Sequence, residues 1–198
     1  DPYGGAFKVT KGLSASFPDR VWTTPLSEAA MVGVATGMAM RGVRPIVEIM
    51  FGDFLSLSMD QMLNHLAKFT WMYNGQVRTP VVIRTPMGGG RGYGPTHSQS
   101  IEKHFCGIPG LAVLAVSRFG DPGALLRRAV EMDGPCLVIE NKLMYAQPVV
   151  GPDALPRHPA PDLVIVTYGG GGEVCLKAAE ILQRDEEVLA DVVVVEQL

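Results

Sequence analysis

From Arg20 onward, short apolar runs rich in valine and isoleucine alternate with longer stretches of helical character. This alternation is typical of a parallel β-sheet flanked by helices, because two parallel strands must be joined by a crossover segment, usually a helix. The sequence therefore predicts an α/β fold. The strands predicted from these runs are residues 45–50, 81–84, 111–116, 136–140, 162–168 and 190–198.

Helices are predicted between these strands. Thr24 is a suitable N-cap and Pro25 a suitable first residue for a helix that reaches Met40. The T-x-x-Q segment that ends at Gln99 has the spacing of a capping box, which predicts a helix from His97 towards residue 105. Further helices are predicted over residues 57–69, 122–132 and 173–183.

A proline-rich segment indicates how the chain divides into domains. Five prolines lie between residues 147 and 162, and proline fits neither a helix interior nor a central strand. We therefore predict a first domain over residues 1–148, a linker over 149–161 and the start of a second α/β domain over 162–198. One βαβ unit buries too little core to form a domain, so we expect the second domain to be truncated and the chain to be part of a longer protein.

Composition narrows the class of protein. The chain has 198 residues and is 47% hydrophobic, which is enough to bury a substantial core. With 17 lysines and arginines against 20 acidic residues, the net charge is -3. This balance leaves no positive excess to hold a polyphosphate backbone, which argues against nucleic acid as a partner.

The cysteines and the apolar runs indicate the cellular compartment in which the protein is expected. Cys106, Cys136 and Cys175 are far apart, odd in number and without C-x-x-C spacing. This pattern argues against a disulfide framework or a zinc site and is typical of a reducing, intracellular setting. No apolar run reaches the roughly 18 to 20 residues that cross a bilayer. We therefore expect no membrane partner.

Two glycine-rich segments, residues 88–94 and 169–172, each follow a predicted strand. Backbone amides in such a position can hold a phosphate group. However, neither segment has G-x-G-x-x-G spacing, and no G-x-x-x-x-G-K-[ST] motif occurs in the chain. These loops therefore argue against a Rossmann or P-loop nucleotide site.

Three residues are candidates for chemistry. Glu28 falls in the first turn of a predicted helix, where an acid serves either the helix dipole or, among small apolar neighbours, a functional role. His97 falls at a predicted helix start, where it serves either helix initiation or, because the dipole disfavours the imidazolium ion and leaves a neutral ring, acid or base work. Phe54 follows a strand, where it either packs in the core or offers its ring to a ligand.

Five segments together resemble, in order, the beta subunits of the decarboxylating component of 2-oxo acid dehydrogenases, whose first domain is the transketolase-like pyrimidine-binding domain. The resemblance spans nearly the whole chain, and it implies a fold that binds thiamine diphosphate. The segments are TPLSEA (24–29), RPIVEIMFGDF (44–54), MDQMLNHLAKF (59–69), THSQS (96–100) and ENKLMY (140–145).

The resemblance implies a role for each site residue. Glu28 would hydrogen-bond a ring nitrogen of the aminopyrimidine and so activate the thiazolium carbon. Phe54 would stack on the aminopyrimidine, with Leu26 and Met50 lining the same pocket. His97 would face the reacting carbon and the acyl acceptor.

The resemblance also implies partners. The chain has no GDG motif followed by paired asparagines, so an alpha subunit would hold the magnesium ion and the diphosphate. The expected assembly has two alpha and two beta subunits, works with a lipoyl-bearing acyltransferase and decarboxylates a 2-oxo acid. The compartment would be the cytoplasm in a bacterium or the mitochondrial matrix in a eukaryote. Relatives hold a potassium ion around the segment matching residues 129–134, and we leave that ion unassigned.

Other functions remain open at this point. Acetoin dehydrogenase, transketolase and deoxyxylulose phosphate synthase share the same central domain, and acetoin dehydrogenase also has a separate beta chain. A non-catalytic α/β binding module is an alternative of a different class, because a fold does not fix a function. Glu28 discriminates between these classes, since a module without a cofactor has no need of an acid among small apolar residues.

Overall fold

The computed structural model describes residues 3–198, and in this part of the chain six parallel-paired strands form two sheets. Each predicted strand has a counterpart, and helices flank the sheets, so the predicted α/β fold is confirmed. The strands are β1 (Ile46–Glu48), β2 (Val82–Met87), β3 (Ala112–Ala115), β4 (Cys136–Asn141), β5 (Leu163–Tyr168) and β6 (Ala190–Val195).

The helices differ more from their predictions. The α-helices are α1 (Leu13–Ser16), α2 (Glu28–Met40), α3 (Phe69–Met72), α4 (Pro122–Glu131) and α5 (Gly171–Glu186). Between them lie a π-helix over Gln61–Leu66 and 3-10 helices over Gly52–Ser58, Pro95–His97, Glu102–His104, Lys142–Ala146 and Pro152–Ala154. None of the helices in residues 3–198 has the length and apolar character that a membrane span requires.

The first sheet has the strand order β1-β2-β4-β3 and is parallel throughout. On one face, Val32 and Ala35 of α2 belong to the same buried cluster as Ile83 and Leu137 of the central strands. On the other face, residues of α4 are buried with the alternate positions of the same strands. Both faces are therefore covered, as a parallel sheet requires, and the carboxyl ends of the strands remain as the edge at which loops gather.

The second sheet pairs β5 with β6 in parallel, with α5 as the connection. The strand predicted over residues 190–198 ends at Val195, and the residues after it pair with the first sheet instead. Ala115 N donates to Glu196 O at 2.8 Å, and Leu198 N donates to Val113 O at 3.0 Å. The segment predicted as a linker carries only the 3-10 turn at Pro152–Ala154, and the division into domains stays a prediction.

The start of α2 was wrongly predicted. The helix begins at Glu28, and Ser27 takes the extended N-cap conformation with a φ of -159°. The Ser27 side chain makes no capping hydrogen bond, and the loop continues past Thr24 and Pro25 up to this residue. Glu28 nevertheless stays in the first turn, at the first helical position.

The helix predicted over residues 57–69 is also wrong in form. The chain there runs as a 3-10 helix, the π-helix and the short α3. Leu66 and Ala67 face inward as predicted, and Leu63 packs against the same core. Ser58 is completely buried and donates to Leu55 O at 3.0 Å, a local bond typical of a 3-10 turn.

A buried ion cluster ties three strands together at the carboxyl edge. Arg84 of β2 donates to both carboxylate oxygens of Glu140 on β4, at 2.9 and 2.6 Å, and to Glu48 of β1 at 2.9 Å. Burial lowers the pKa of the Arg84 guanidinium, but hydrogen bonding and attraction to the two carboxylates outweigh it and raise that pKa. Tyr145 also donates to Glu140, and burial together with that negative charge raises the pKa of the phenol.

Candidate functional site

The candidate site lies at the carboxyl edge of the first sheet. Three segments meet there: residues 51–58 after β1, the glycine-rich loop and His97 after β2, and residues 142–146 after β4. Ligand sites of open parallel sheets lie beyond the carboxyl ends of the strands. The topology therefore places Phe54 and His97 where such a site is expected.

Glu28 is half-buried at the first position of α2. In the described part of the chain its carboxylate takes part in no hydrogen bond or ion pair. The helix itself packs against the 3-10 helix Gly52–Ser58, which carries Phe54. A half-buried acid without a partner has its acceptor oxygens free for a ligand from outside this chain.

Phe54 and His97 are in direct contact. Their ring centroids are 5.2 Å apart and the planes meet at 82°, an edge-to-face arrangement. Phe51 contacts His97 from another side at 5.4 Å and 70°. Thr96 Oγ1 lies 3.0 Å from His97 Nδ1, so one ring nitrogen has a partner within the loop. Two residues that the sequence singled out separately are thus parts of one cluster.

Leu26 and Met50 lie in different surroundings. Leu26 is 92% exposed and contributes to no buried cluster in residues 3–198. Met50 is half-buried and reaches the N-terminal loop, where a Cβ on Gly5 would lie 2.5 Å from its terminal methyl group. The structure of this chain alone therefore does not bury Leu26 against the Phe54 and His97 rings, and its side chain is open to solvent, as single leucines on protein surfaces often are.

The helix predicted from His97 is wrong. The chain makes two separate 3-10 turns, Pro95–His97 and Glu102–His104. The capping box does not form because Asp53 Oδ1 accepts from both the backbone N of Gln99, at 3.1 Å, and its side-chain Nε2, at 3.0 Å. His97 therefore does not sit at the N-terminus of a helix, and no helix dipole acts on its ring.

Lys142 is a site residue that the sequence reasoning missed. It is completely buried, its ammonium donates to the main-chain O of His97, and it lies 4.6 Å from the ring centroid of Phe51. Burial lowers the pKa of Lys142, with the nearby Asp53 acting in the opposite direction. The sequence held one sign of this residue. Lys142 lies within the segment ENKLMY, which carries the resemblance but does not indicate a contact with His97.

An aromatic cluster around Lys142 was also missed. Phe7 lies 4.7 Å from Tyr145 and 5.9 Å from Phe51, measured between ring centroids. Tyr93 lies 5.9 Å from Phe51, and the Arg91 guanidinium stands over Tyr93 at 5.9 Å. These residues come from four distant segments, so no local pattern could have joined them.

The segment left open for a potassium ion already has a cationic partner. Arg44 Nη1 donates to Val130 O at 2.7 Å and to Met132 O at 2.8 Å, and Arg44 also pairs with Asp133 at 3.1 Å. Among residues 3–198 no group of three or more acidic, histidine or cysteine side chains is arranged to hold a metal. The ion stays unassigned.

Comparison with known proteins agrees with the geometry. The chain is 41% identical to the beta subunit of acetoin:2,6-dichlorophenolindophenol oxidoreductase from Cupriavidus necator, over 93% of this chain and 57% of that protein. It is 35% identical to the 3-methyl-2-oxobutanoate dehydrogenase subunit beta of Mycobacterium tuberculosis, over 96% of this chain and 58% of that protein. The beta-1 subunit of the pyruvate dehydrogenase E1 component from Arabidopsis thaliana mitochondria is also 35% identical, over 96% and 56%. The chain thus spans somewhat more than half the length of these relatives.

Solved structures show the same fold. A split-gene transketolase, an inactive beta4 tetramer, matches with a TM-score of 0.74 at 22% identity, over 98% of this chain and 63% of that one. A transketolase mutant from Pichia stipitis matches with a TM-score of 0.66 at 20% identity, over 86% and 26%.

The family assignment rests on a match to a family model and on the names of the curated relatives. The family model described as "Transketolase, pyrimidine binding domain" matches residues 1–148. The curated relatives are named as beta subunits of pyruvate, branched-chain and acetoin-oxidising enzymes, which confirms the resemblance found in the sequence. The chain belongs to the family of transketolase pyrimidine-binding domains.

Proposed function

We propose that this chain acts as the beta subunit of a thiamine diphosphate-dependent 2-oxo acid dehydrogenase. One observation carries the proposal: Phe54, on the 3-10 helix against which α2 packs, contacts His97 with ring centroids 5.2 Å apart, and α2 begins with Glu28, which makes no hydrogen bond or ion pair in residues 3–198. A non-catalytic module would not need this combination. The division into a domain of residues 1–148, a linker of 149–161 and the start of a second domain is part of the proposal.

The residues present fit an aminopyrimidine ring. Glu28 offers an unpaired acceptor in partly apolar surroundings, Phe54 offers an aromatic ring, and Leu26 and Met50 offer apolar surface. Thiamine diphosphate, when bound, supplies the carbon nucleophile and the electron sink for loss of carbon dioxide. The proposed role of Glu28 is to share a proton with a weakly basic ring nitrogen. A site shielded from water favours this sharing.

His97 has a separate part. Its ring lies in the loop after β2, and among the residues that the structure describes only Nδ1 has a hydrogen-bond partner, Thr96 Oγ1. The remaining nitrogen, Nε2, is free to hold or pass a proton at the substrate carbon or at the thiol of the acyl acceptor. We assign His97 to this transfer and Glu28 to the pyrimidine.

The rest of the machinery is proposed to come from partners. An alpha subunit would hold the magnesium ion and most of the diphosphate, because this sequence has no GDG motif. The full assembly would contain two alpha and two beta subunits and would pass the acyl group to the lipoyl disulfide of an acyltransferase. We place it in the cytoplasm of a bacterium or in the mitochondrial matrix of a eukaryote, in keeping with relatives from both kinds of organism.

Acetoin is the second candidate substrate, because the acetoin-oxidising relative, at 41% identity, is closer in sequence than the two oxo acid dehydrogenase subunits compared above, each at 35%. The test is an assay of the chain with its alpha subunit, using dichlorophenolindophenol as electron acceptor. Pyruvate, 3-methyl-2-oxobutanoate and acetoin are compared at equal concentrations. Reduction with an oxo acid supports the first proposal, reduction with acetoin alone supports the second, and the absence of all three rates would contradict both.

The divided site predicts weak cofactor binding by this chain alone. Without the alpha subunit, we expect thiamine diphosphate with magnesium to bind at least ~100-fold more weakly, because each missing charge-assisted hydrogen bond to phosphate costs about 1.5 to 3 kcal/mol. Titration calorimetry of the chain with and without its alpha subunit measures the difference. Tight, magnesium-dependent binding by the isolated monomeric chain would contradict the divided site.

His97→Ala is expected to separate the two halves of the reaction. Acyl transfer to the lipoyl group should fall by ~10² to 10⁴, as for a lost acid or base, while activation of the cofactor changes little. Single-turnover acylation of a lipoyl domain and deuterium exchange at the thiazolium carbon measure the two steps. His104→Ala, at an exposed position seven residues on, is the control. Equal acylation rates in both variants would remove His97 from the site.

A further inference from the structure

A buried lysine beside His97 has no acidic partner. Lys142 is 0% exposed, and lysine is almost never fully buried unless its charge is paired. Among the ion pairs of residues 3–198, none includes Lys142. Its ammonium instead donates to the main-chain O of His97 and lies 4.6 Å from the Phe51 ring centroid and 5.8 Å from that of Tyr93. The contacts of the ammonium group are therefore with one backbone carbonyl and two aromatic rings.

An acid holds the same loop from the other side. Asp53, 7% exposed, accepts from both nitrogens of Gln99 through Oδ1, at 3.0 and 3.1 Å. Its Oδ2 is buried and has no hydrogen-bond partner in the described residues. The loop that carries His97 is thus attached to the segment after β1 by a carboxylate and to the segment after β4 by an ammonium.

We propose that Lys142 is a positioning residue for His97: its buried ammonium fixes the His97 carbonyl, and with it the place of the ring beside Phe54. The structural part of this inference stands by itself, whereas its consequence for catalysis rests on the proposed function of His97. Lys142 touches no substrate in this account and acts only through His97.

The experiment measures hydrogen exchange of the Gln99 amide in the whole chain, because this amide lies in the loop that Lys142 attaches. Lys142→Met removes the donor and should speed the exchange by at least ~10-fold through local opening. Lys142→Arg keeps a charged donor and should return the rate towards the parent value. Lys177→Gln removes an exposed charge from α5 and is the matched control.

A second variant keeps the proposal testable if Lys142→Met does not fold, which circular dichroism shows. Lys142→Gln keeps an N–H donor and loses the charge, and its exchange rate should lie between those of the parent and Lys142→Met. A Gln99 exchange rate within about twofold of the parent value in every folded variant without the lysine would overturn the proposal.

These measurements use the chain without cofactor or alpha subunit, so they separate this inference from the proposed function. Faster exchange in Lys142→Met, in a chain that shows no decarboxylation with its alpha subunit, would leave Lys142 in its role and would reject the proposed function. Unchanged exchange in an active enzyme would do the reverse. In the active enzyme, acyl transfer should fall in Lys142→Met and recover in Lys142→Arg, while deuterium exchange at the thiazolium carbon changes little.

Discussion

Deuterium exchange at the thiazolium carbon should slow by ~10² to 10⁴ when Glu28 is replaced by glutamine in the enzyme reconstituted with its alpha subunit, the range typical of a lost general acid or base. Glutamine keeps the size of the side chain and its hydrogen-bonding ability, but it cannot share a proton with the pyrimidine nitrogen. The measurement is the exchange rate in deuterium oxide at saturating thiamine diphosphate, with and without the substitution.

The competing explanation for Glu28 is electrostatic support of α2. If the acid served only the helix dipole, Glu28→Gln would leave the exchange rate within about threefold and would cost only about 0.3 to 1 kcal/mol of stability. Glu173, in the first turn of α5, is the matched control, because it is also an acid at a helix start but pairs with Arg118 at 2.8 Å. Glu173→Gln should leave exchange unchanged. Equal rates in the two variants would make Glu28 structural.

The strands of this fold could be predicted because their signal is local. Runs of valine and isoleucine between helical stretches require burial on both faces, and a parallel sheet is the structure that provides it. All six strands were found near the predicted positions. The strand ends differed more: β2 runs on to Met87, β1 stops at Glu48, and residues 196–198 pair with β3 of the other sheet instead of extending β6, a contact between segments about 80 residues apart.

The loop with His97 could not be predicted because its structure depends on distant side chains. Threonine and glutamine at capping-box spacing favour a helix locally, yet Gln99 is taken by Asp53, 46 residues earlier in the chain. The carbonyl of His97 is taken by Lys142, 45 residues later. The reason given for a neutral His97, the dipole of a helix that begins there, was therefore wrong.

The candidate site, like the fold, could be predicted from the sequence only in part. Glu28, Phe54 and His97 were identified from residue type, position and resemblance, and the contact of Phe54 with His97 is now a geometric fact. The roles of Glu28, Leu26 and Met50 stay predictions. Leu26, at 92% exposure, shows why: a pocket completed by a ligand or a second chain is not contained in the sequence or the fold of one chain.

Arg84→Met should cost about 3 to 5 kcal/mol of unfolding free energy, because it removes the cation that compensates two buried carboxylates. The side chain of Arg84 is 6% exposed, and those of Glu48 and Glu140 are 21% and 12% exposed. Methionine fills most of the volume, so the loss reports the uncompensated charge and not a cavity. Urea unfolding followed by circular dichroism measures it, provided that the slope with denaturant is unchanged.

The control is the exposed pair of Arg128 with Glu196, 3.5 Å apart with side chains 48% and 33% exposed. Arg128→Met should cost less than about 1 kcal/mol, as water and salt screen such pairs. Adding Glu140→Gln to Arg84→Met should recover part of the loss, because one of the two carboxylates is then neutral. The same small cost for Arg84→Met as for Arg128→Met would show that the cluster does not hold the ends of β1, β2 and β4 together. The loops of the candidate site would then owe their placement to the attachments of Asp53 and Lys142 alone.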